Sequence, residues 1–421
     1  MPLFDLVGLV LEAYLQYLRR LDLLAVAGVA LLLVYAQYRR NAALEARLFG
    51  SVRYGPLRRL GRAAAAGLAG GLLATGLFVA LGIPLNDVGV WLLWLVALAL
   101  MLIHPRFLCF AYGAGLLSLA HLAFGLPGFD VAAAMALVAV LHLVEAVLIY
   151  WTGADGAMPV YAADGRGGVV GGFTMQRFWP LPFVALLGAF VPPEIAQSAG
   201  GVHMPDWWPI FEPEWAGRGA GEYVFALFPV VAALGYGDLA LASPPGVKAK
   251  RTARSLLGYS LGLLALAVLA RVHAAFAFAA ALYSPLAHEW VIFRARRAER
   301  DGPFCFSGAD TMVLDVHPGS PAARAGVRSG DVILAVGGFP VRTREDVYGA
   351  MQLSAGSTSG TVVEVENAFD KQRRRLVCRG RPPWGIMLVP RAGDLPHMQL
   401  ETKSRWRQVF AHISEKFSPR R

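Results

Sequence analysis

The chain has 421 residues, of which 56% are hydrophobic and only 16% charged, against about 25% charged in an ordinary soluble domain. A soluble globule this apolar could not cover its own surface, which excludes a purely cytosolic enzyme. The net charge of +10 is compatible with nucleic acid or with the inner face of a membrane, and the positions of the charges decide between them.

Leu3–Tyr17 carries Asp5 and Glu12 and reads as an N-terminal helix (residues 1–22) that lies on a membrane or forms a short extra span. It lacks the basic start and small-residue cleavage site of a signal peptide. Apolar segments then dominate a polytopic region, residues 23–293: Leu23–Tyr38, Ala63–Leu81, Val88–Ile103, Phe107–Phe124, Val131–Trp151, Phe178–Val191 and Glu222–Leu241. Most approach the roughly 20 apolar residues needed to cross a bilayer. Ser255–Phe293 is too long for one crossing and is split near Arg271–His273. The expectation is an α-helical membrane protein with about nine spans, eight to ten given the N-terminal ambiguity. Arginine-rich loops at Arg39–Arg62 and Arg294–Arg300, with Lys248–Arg254, are placed on the cytoplasmic side. Pro192–Gly221, with four acidic residues and three tryptophans, is placed outside. The charge is therefore an orientation signal, and nucleic acid is not expected as a partner. Gly153–Arg177 is glycine-rich, and reads as an ordered element or a linker.

From residue 300 the pattern changes. Thr311–Val316 reads as a strand, His317-Pro318-Gly319 as a turn, and Ser320 to Gly326 as a short capped helix. Val332–Val336 reads as a second strand. Thr343-Arg344-Glu345-Asp346 opens a helix to about Leu353, and Thr361–Glu366 with Arg374–Arg379 reads as a hairpin turning at Asn367–Lys371. The run VLDVHPGSPAARAGVRSGDVILAVGGFPV, with SPAARAG, Gly330-Asp331 and VILAVGG, resembles the core of a PDZ domain, placed at residues 300–392 and facing the cytoplasm. The resemblance implies capture of extended peptides by strand addition. In the animal-type pattern the carboxylate-cradling loop and groove strand precede the first strand, and here only Gly302–Asp310 remains for them. Trp384-Gly385-Ile386-Met387-Leu388 after the hairpin resembles the missing loop and strand. The expectation is a circularly permuted domain whose groove is edged by Trp384, Gly385, Ile386, Met387 and Leu388, with Val347 and Met351 on the facing helix. The alternative is an ordinary closing strand. In the tail, residues 393–421, Trp406, Val409, Phe410, Ile413 and Phe417 recur at helical spacing beside basic residues, fitting a lipid surface or packing on the chain's own domain.

Catalytic motifs are sparse. His288-Glu289-Trp290-Val291-Ile292 lacks the second histidine of an HExxH zinc helix, no GxSG surrounds Ser118, and no phosphate-binding loop occurs. Cys109, Cys305 and Cys378 form no metal-type spacing and no disulfide framework. No catalytic residue, metal or cofactor is expected. His142 and Glu145 share one face of an apolar helix and form a candidate intramembrane polar pair. The alternative is a hydrogen-bonded contact between helices, with His104 or His121. His288 and Glu289 read as an anchor where the last span leaves the membrane.

The many spans, the GGFTMQRFWPLP segment, the His288-Glu289-Trp290 exit and the terminal PDZ-like region together resemble the MinJ-type family of cell-division topological determinants. That resemblance implies a non-enzymatic adaptor at the cell membrane, with DivIVA-like and MinD-like division proteins as partners alongside the lipid bilayer. A homo-oligomer stays open. A PDZ-regulated intramembrane protease and a transporter are the alternatives.

Overall fold

The computed structural model describes residues 2–49, 52–163, 168–198, 202–212, 222–356, 359–391, 393–396 and 398–399. The basic tail with Trp406 lies outside the described residues. The chain divides into two compact units. The first comprises residues 1–156, 175–238 and 246–296, and the second residues 157–174, 239–245 and 297–421.

The first unit is built on helices α1 (Pro2–Arg19), α2 (Leu21–Phe49), α3 (Pro56–Leu81), α4 (Val90–Ile103), α5 (Phe110–Phe124) and α6 (Val131–Thr152), the short α7 (Pro193–Ser198), and α8 (Pro245–Leu269) and α9 (Ala274–Asp301). Among the described residues six helices are long and apolar enough to cross a membrane. The 26 residues of α3 reach about 39 Å, more than a ~30 Å hydrocarbon core. At 15 residues α5 is shorter than that core. The break between α8 and α9 falls at residues 270–273, where Arg271 pairs with Asp130 at 3.1 Å. Asp130 also caps α6, accepting from the Ala133 amide. Helix α6 is apolar all round, and 83% of its most apolar window is buried within the protein, as expected of a central helix.

The two segments Phe178–Val191 and Glu222–Leu241, expected as helical spans, are instead strands. They lie in β2 (Val169–Val191) and β3 (Glu222–Ala240), which neighbour each other in one sheet. Composition explains the difference. Pro180 and Pro182 would break a helix interior, as would Pro229 in β3, and the surrounding Phe, Trp, Val and Tyr favour a pleated chain. Main-chain groups of alternate residues point to the same strand edge. On β2 the edge carrying residues 178 to 188 meets helices rather than another strand. The Tyr38 hydroxyl accepts from the Phe178 amide and donates to its carbonyl. Tyr14 donates to the Pro182 carbonyl, and Thr75 Oγ1 accepts from the Val184 amide at 2.8 Å. The Leu186 carbonyl takes the Leu85 amide, and Asn86 bonds both main-chain groups of Gly188. Pro180 and Pro182 fall on this same edge, where a donor would have no strand to meet. The backbones touch because α3 carries glycine there. A Cβ at Gly67 would stand 1.9 Å from the Pro180 oxygen, and one at Gly71 1.8 Å from the Pro182 oxygen.

In the second unit, β1 (Met158–Ala163) pairs antiparallel with the start of β2, Met158 opposite Thr174 and Ala163 opposite Val169. The glycine-rich segment is thus an ordered hairpin where it is described. The C-terminal domain follows: β4 (Val313–Val316), α10 (Pro321–Ala325), β5 (Asp331–Val336), β6 (Phe339–Pro340), α11 (Arg344–Leu353), β7 (Thr361–Asn367), β8 (Arg373–Cys378) and β9 (Ile386–Leu388), with β10 (Met398–Gln399) pairing parallel to β1. One sheet has the order β6-β5-β7-β8, and β4 pairs separately with β9. Ser320 caps α10 by accepting from the Ala323 amide, and Gly326 ends it at φ 92°. Thr343 and Asp346 form a reciprocal capping box on α11. The core holds Val313, Ile333, Val336, Val363 and Val365 from the strands, with Ala322, Val347 and Met351 from the helices.

Candidate functional site

The edge of β9 is the most plainly available feature of the C-terminal domain. Val313 faces Leu388 and Val316 faces Ile386, with a bulge between. The flanking bonds come from their neighbours: the Val389 amide to Met312, and the His317 amide to the Gly385 carbonyl. In an antiparallel ladder this makes both facing pairs the non-bonded kind. The main-chain groups of Ile386 and Leu388 therefore point away from β4. Among the described residues no strand pairs with that outer edge.

The segment before β9 is held rigidly. Trp384 is 1% exposed and donates its indole N–H to the Gly380 carbonyl at 3.0 Å. Its own carbonyl accepts the Ala322 amide from α10. Gly385 has φ 75°, and a Cβ there would lie 2.5 Å from that of Ser320. Only glycine lets this turn seat against the cap of α10. Helix α11 is tied to the chain just past β9. Arg344 donates to the Val389 carbonyl at 2.7 Å and pairs with Asp394 at 2.8 Å, and Arg391 pairs with Glu345 at 2.6 Å. The Arg344 guanidinium holds the Asp394 carboxyl below its usual range.

The seven residues expected to form the groove thus divide by role. Trp384, Leu388, Val347 and Met351 are buried in the core, while Gly385, Ile386 and Met387 are half-buried at β9 and the turn before it. Sequence reasoning missed Tyr161. This residue of β1 donates its hydroxyl to the outward carbonyl of Leu388 at 2.9 Å. Burial pushes its pKa up, so it stays a donor. Its signal was slight, a lone tyrosine in a glycine-rich stretch. Gly330-Asp331, the most recognisable motif, is structural. Asp331 is fully buried, paired with Arg374, and bonded to Asn367 at 2.9 Å and to the Arg328 amide at 2.8 Å.

In the first unit His142 and Glu145 both lie on α6. His142 is 4% exposed and forms no hydrogen bond with Glu145. Its Nδ1 meets the Val138 carbonyl at 2.8 Å and its Nε2 meets Cys109 Sγ at 3.1 Å. Neither His104 nor His121 is its partner, since His104 caps a turn through the Arg106 amide and His121 bonds the Leu126 carbonyl. His288, expected as an anchor, joins the same cluster, with Nε2 3.8 Å from Cys109 Sγ and Nδ1 3.2 Å from the Tyr112 hydroxyl. Tyr112 in turn donates to Glu289 at 2.7 Å, and Glu289 pairs with Arg106 at 2.9 Å.

Residues 312–363 match the family model described as PDZ domain, and this region of the chain is a PDZ domain. The chain is also similar to the cell division topological determinant MinJ of Bacillus subtilis, at 27% identity over 214 residues, half of each chain. A Synechocystis sp. protein named as the serine protease HhoB shares 50% identity over 48 residues, 11% of this chain and 12% of its own. The chain thus spans about half the length of MinJ and far less of the second relative.

Proposed function

We propose that this protein is a non-enzymatic membrane adaptor that places division proteins by capturing an extended segment of a partner on β9. The observation that carries the reading is the outer edge of β9, whose Ile386 and Leu388 main-chain groups point away from β4. Strand addition on such an edge gives affinity through the main chain, with selectivity from flanking side chains. The likeness to MinJ over half the chain supports the division role. DivIVA-like and MinD-like proteins are the partners this reading names.

In the same reading the chain is a multi-pass protein of the cell membrane, with the β2–β3 hairpin and α5 completing eight to ten crossings or re-entries. The PDZ domain faces the cytoplasm, consistent with the arginine-rich loops. The domain is circularly permuted: β9 closes the chain order yet pairs with β4, the first strand, and its preceding Gly385 turn takes the place of the peptide-carboxylate loop. The short likeness to a protease covers 48 residues, less than one domain, and does not favour hydrolysis.

The test is Ile386→Pro in the full-length protein in cells. It removes one outward N–H and leaves the β4 pairing in place. The expected result is a correctly inserted protein that no longer localises its division partners. Unchanged localisation both in this variant and after deletion of residues 300–392 would overturn the proposal.

A further inference from the structure

The cluster at the heart of the helical unit has more lone pairs than protons. The Val138 carbonyl can only accept, so His142 carries its proton on Nδ1 and presents a bare Nε2 to Cys109. The single Tyr112 hydroxyl proton goes to Glu289, whose other oxygen pairs with Arg106. Tyr112 must then accept from His288 Nδ1, which leaves a second bare Nε2 facing the same sulfur. One S–H can serve one of these nitrogens, not both. Two imidazole lone pairs and a thiol therefore converge with no donor to reconcile them, in a place where an unsatisfied polar atom is costly.

A cation resolves this imbalance. We infer that Cys109, His142 and His288 bind a divalent transition-metal ion of the zinc class, with Cys109 as thiolate and both imidazoles coordinating through Nε2. The three ligand atoms lie within 4.8 Å of one another. Zinc bond lengths in tetrahedral geometry place a sulfur and a nitrogen ligand about 3.6 Å apart, and the two separations here, 3.1 and 3.8 Å, bracket that value. Each histidine has its other nitrogen fixed by a carbonyl or by the Tyr112–Glu289–Arg106 chain, the outer-shell pattern that orients metal ligands. Tyr259 meets both rings edge-on, at 5.4 and 5.5 Å between centroids, and prevents their rotation. Cys109 stands at the N-cap of α5. Among the described residues no fourth His, Cys or carboxylate joins the group. The ion keeps an open position for water or an anion, and it ties α5, α6 and α9 together.

The experiment uses full-length protein in detergent, stripped with chelator and titrated with Zn²⁺ or Co²⁺. The expected result is one ion per chain, with a thiolate-to-cobalt charge-transfer band that Cys109→Ser abolishes and Cys305→Ser leaves intact. Glu289→Gln, which touches no ion, should weaken binding about 10–100-fold. Should Cys109→Ser fail to fold, the wild-type chain supplies the readout, since Zn²⁺ should protect Cys109 from maleimide. Burial pushes the other two thiols up, Cys305 to about 12 and Cys378 to about 11, so they contribute little at neutral pH. Absence of stoichiometric binding, a band that survives Cys109→Ser, uptake of copper(I) alone, or alkylation of Cys109 at the same rate with Zn²⁺ would each overturn the inference.

Discussion

Gly71→Ala tests the helix–strand contact at the centre of the first unit. Alanine normally stabilises a helix interior by about 0.5–1 kcal/mol over glycine. At this position the new Cβ would stand 1.8 Å from the Pro182 carbonyl oxygen, where 3.0 Å is the working minimum. Both groups are backbone, so α3 and β2 must separate by about 1.2 Å. That takes the 2.8 Å bond from the Val184 amide to Thr75 to about 4 Å, beyond hydrogen-bond range. The Tyr14 bond to Pro182 opens with it. Two buried main-chain groups left unpaired cost about 1–3 kcal/mol each, so the net effect is a loss of about 1–5 kcal/mol. Gly76 lies on the same helix with nothing within 4 Å of its Cβ position, and Gly76→Ala should be neutral or stabilising. Thermal unfolding of the full-length protein in detergent compares the two. A Gly71→Ala protein as stable as Gly76→Ala would refute the reasoning.

Other perturbations act on the PDZ domain. Tyr161→Phe frees the Leu388 carbonyl at the price of a hydrogen bond worth about 1 kcal/mol, so a peptide that must displace Tyr161 should bind about fivefold more tightly, as measured by fluorescence anisotropy on the full-length protein. Weaker binding would show that Tyr161 belongs to the peptide site and does not compete for it. Asp331→Asn leaves the Arg374 guanidinium without its buried partner and should destabilise the domain by about 3 kcal/mol, visible as rapid proteolysis after residue 300; wild-type resistance would count against a structural role. The pH response of the α11 clamp follows from Asp394, whose folded carboxyl is held below its usual range by Arg344. Its contribution is present above the unfolded carboxylate pKa and is lost as pH falls through the folded value. The protection of the α11 amides, taken relative to their pH-dependent intrinsic exchange rate, should be flat from pH 7 to about pH 5 and fall only in stronger acid, whereas Asp394→Asn should show the lowered protection at neutral pH.

Much of the PDZ domain was legible because its signals are local. Ser320, Pro321 and Gly326 mark both ends of a short helix within two turns, and Thr343 with Asp346 is a complete cap four residues long. The break at residues 270–273 was legible from bilayer thickness together with the basic loops on either side, which belong on one face of the membrane. Helix and strand could not be told apart at 178–191 and 222–241 by hydropathy, since a bilayer or a core accepts either. The prolines at 180 and 182 and the β-branched and aromatic residues around them were the better evidence. Their spacing of two acquires meaning only once Gly67 and Gly71 are known to face them. The Cys109, His142 and His288 cluster was invisible for a different reason. Its members come from three helices, and no spacing along the chain encodes a contact made by packing.

The central claim is that β9 receives a partner's strand, and hydrogen exchange measured on the full-length protein in lipid vesicles tests it most directly. Addition of a cognate division protein should slow exchange across residues 385–389 and leave β8 unchanged, and Ile386→Pro should abolish both the protection and the binding. Binding that leaves residues 385–389 as exposed as before, or that survives Ile386→Pro with full affinity, would contradict it.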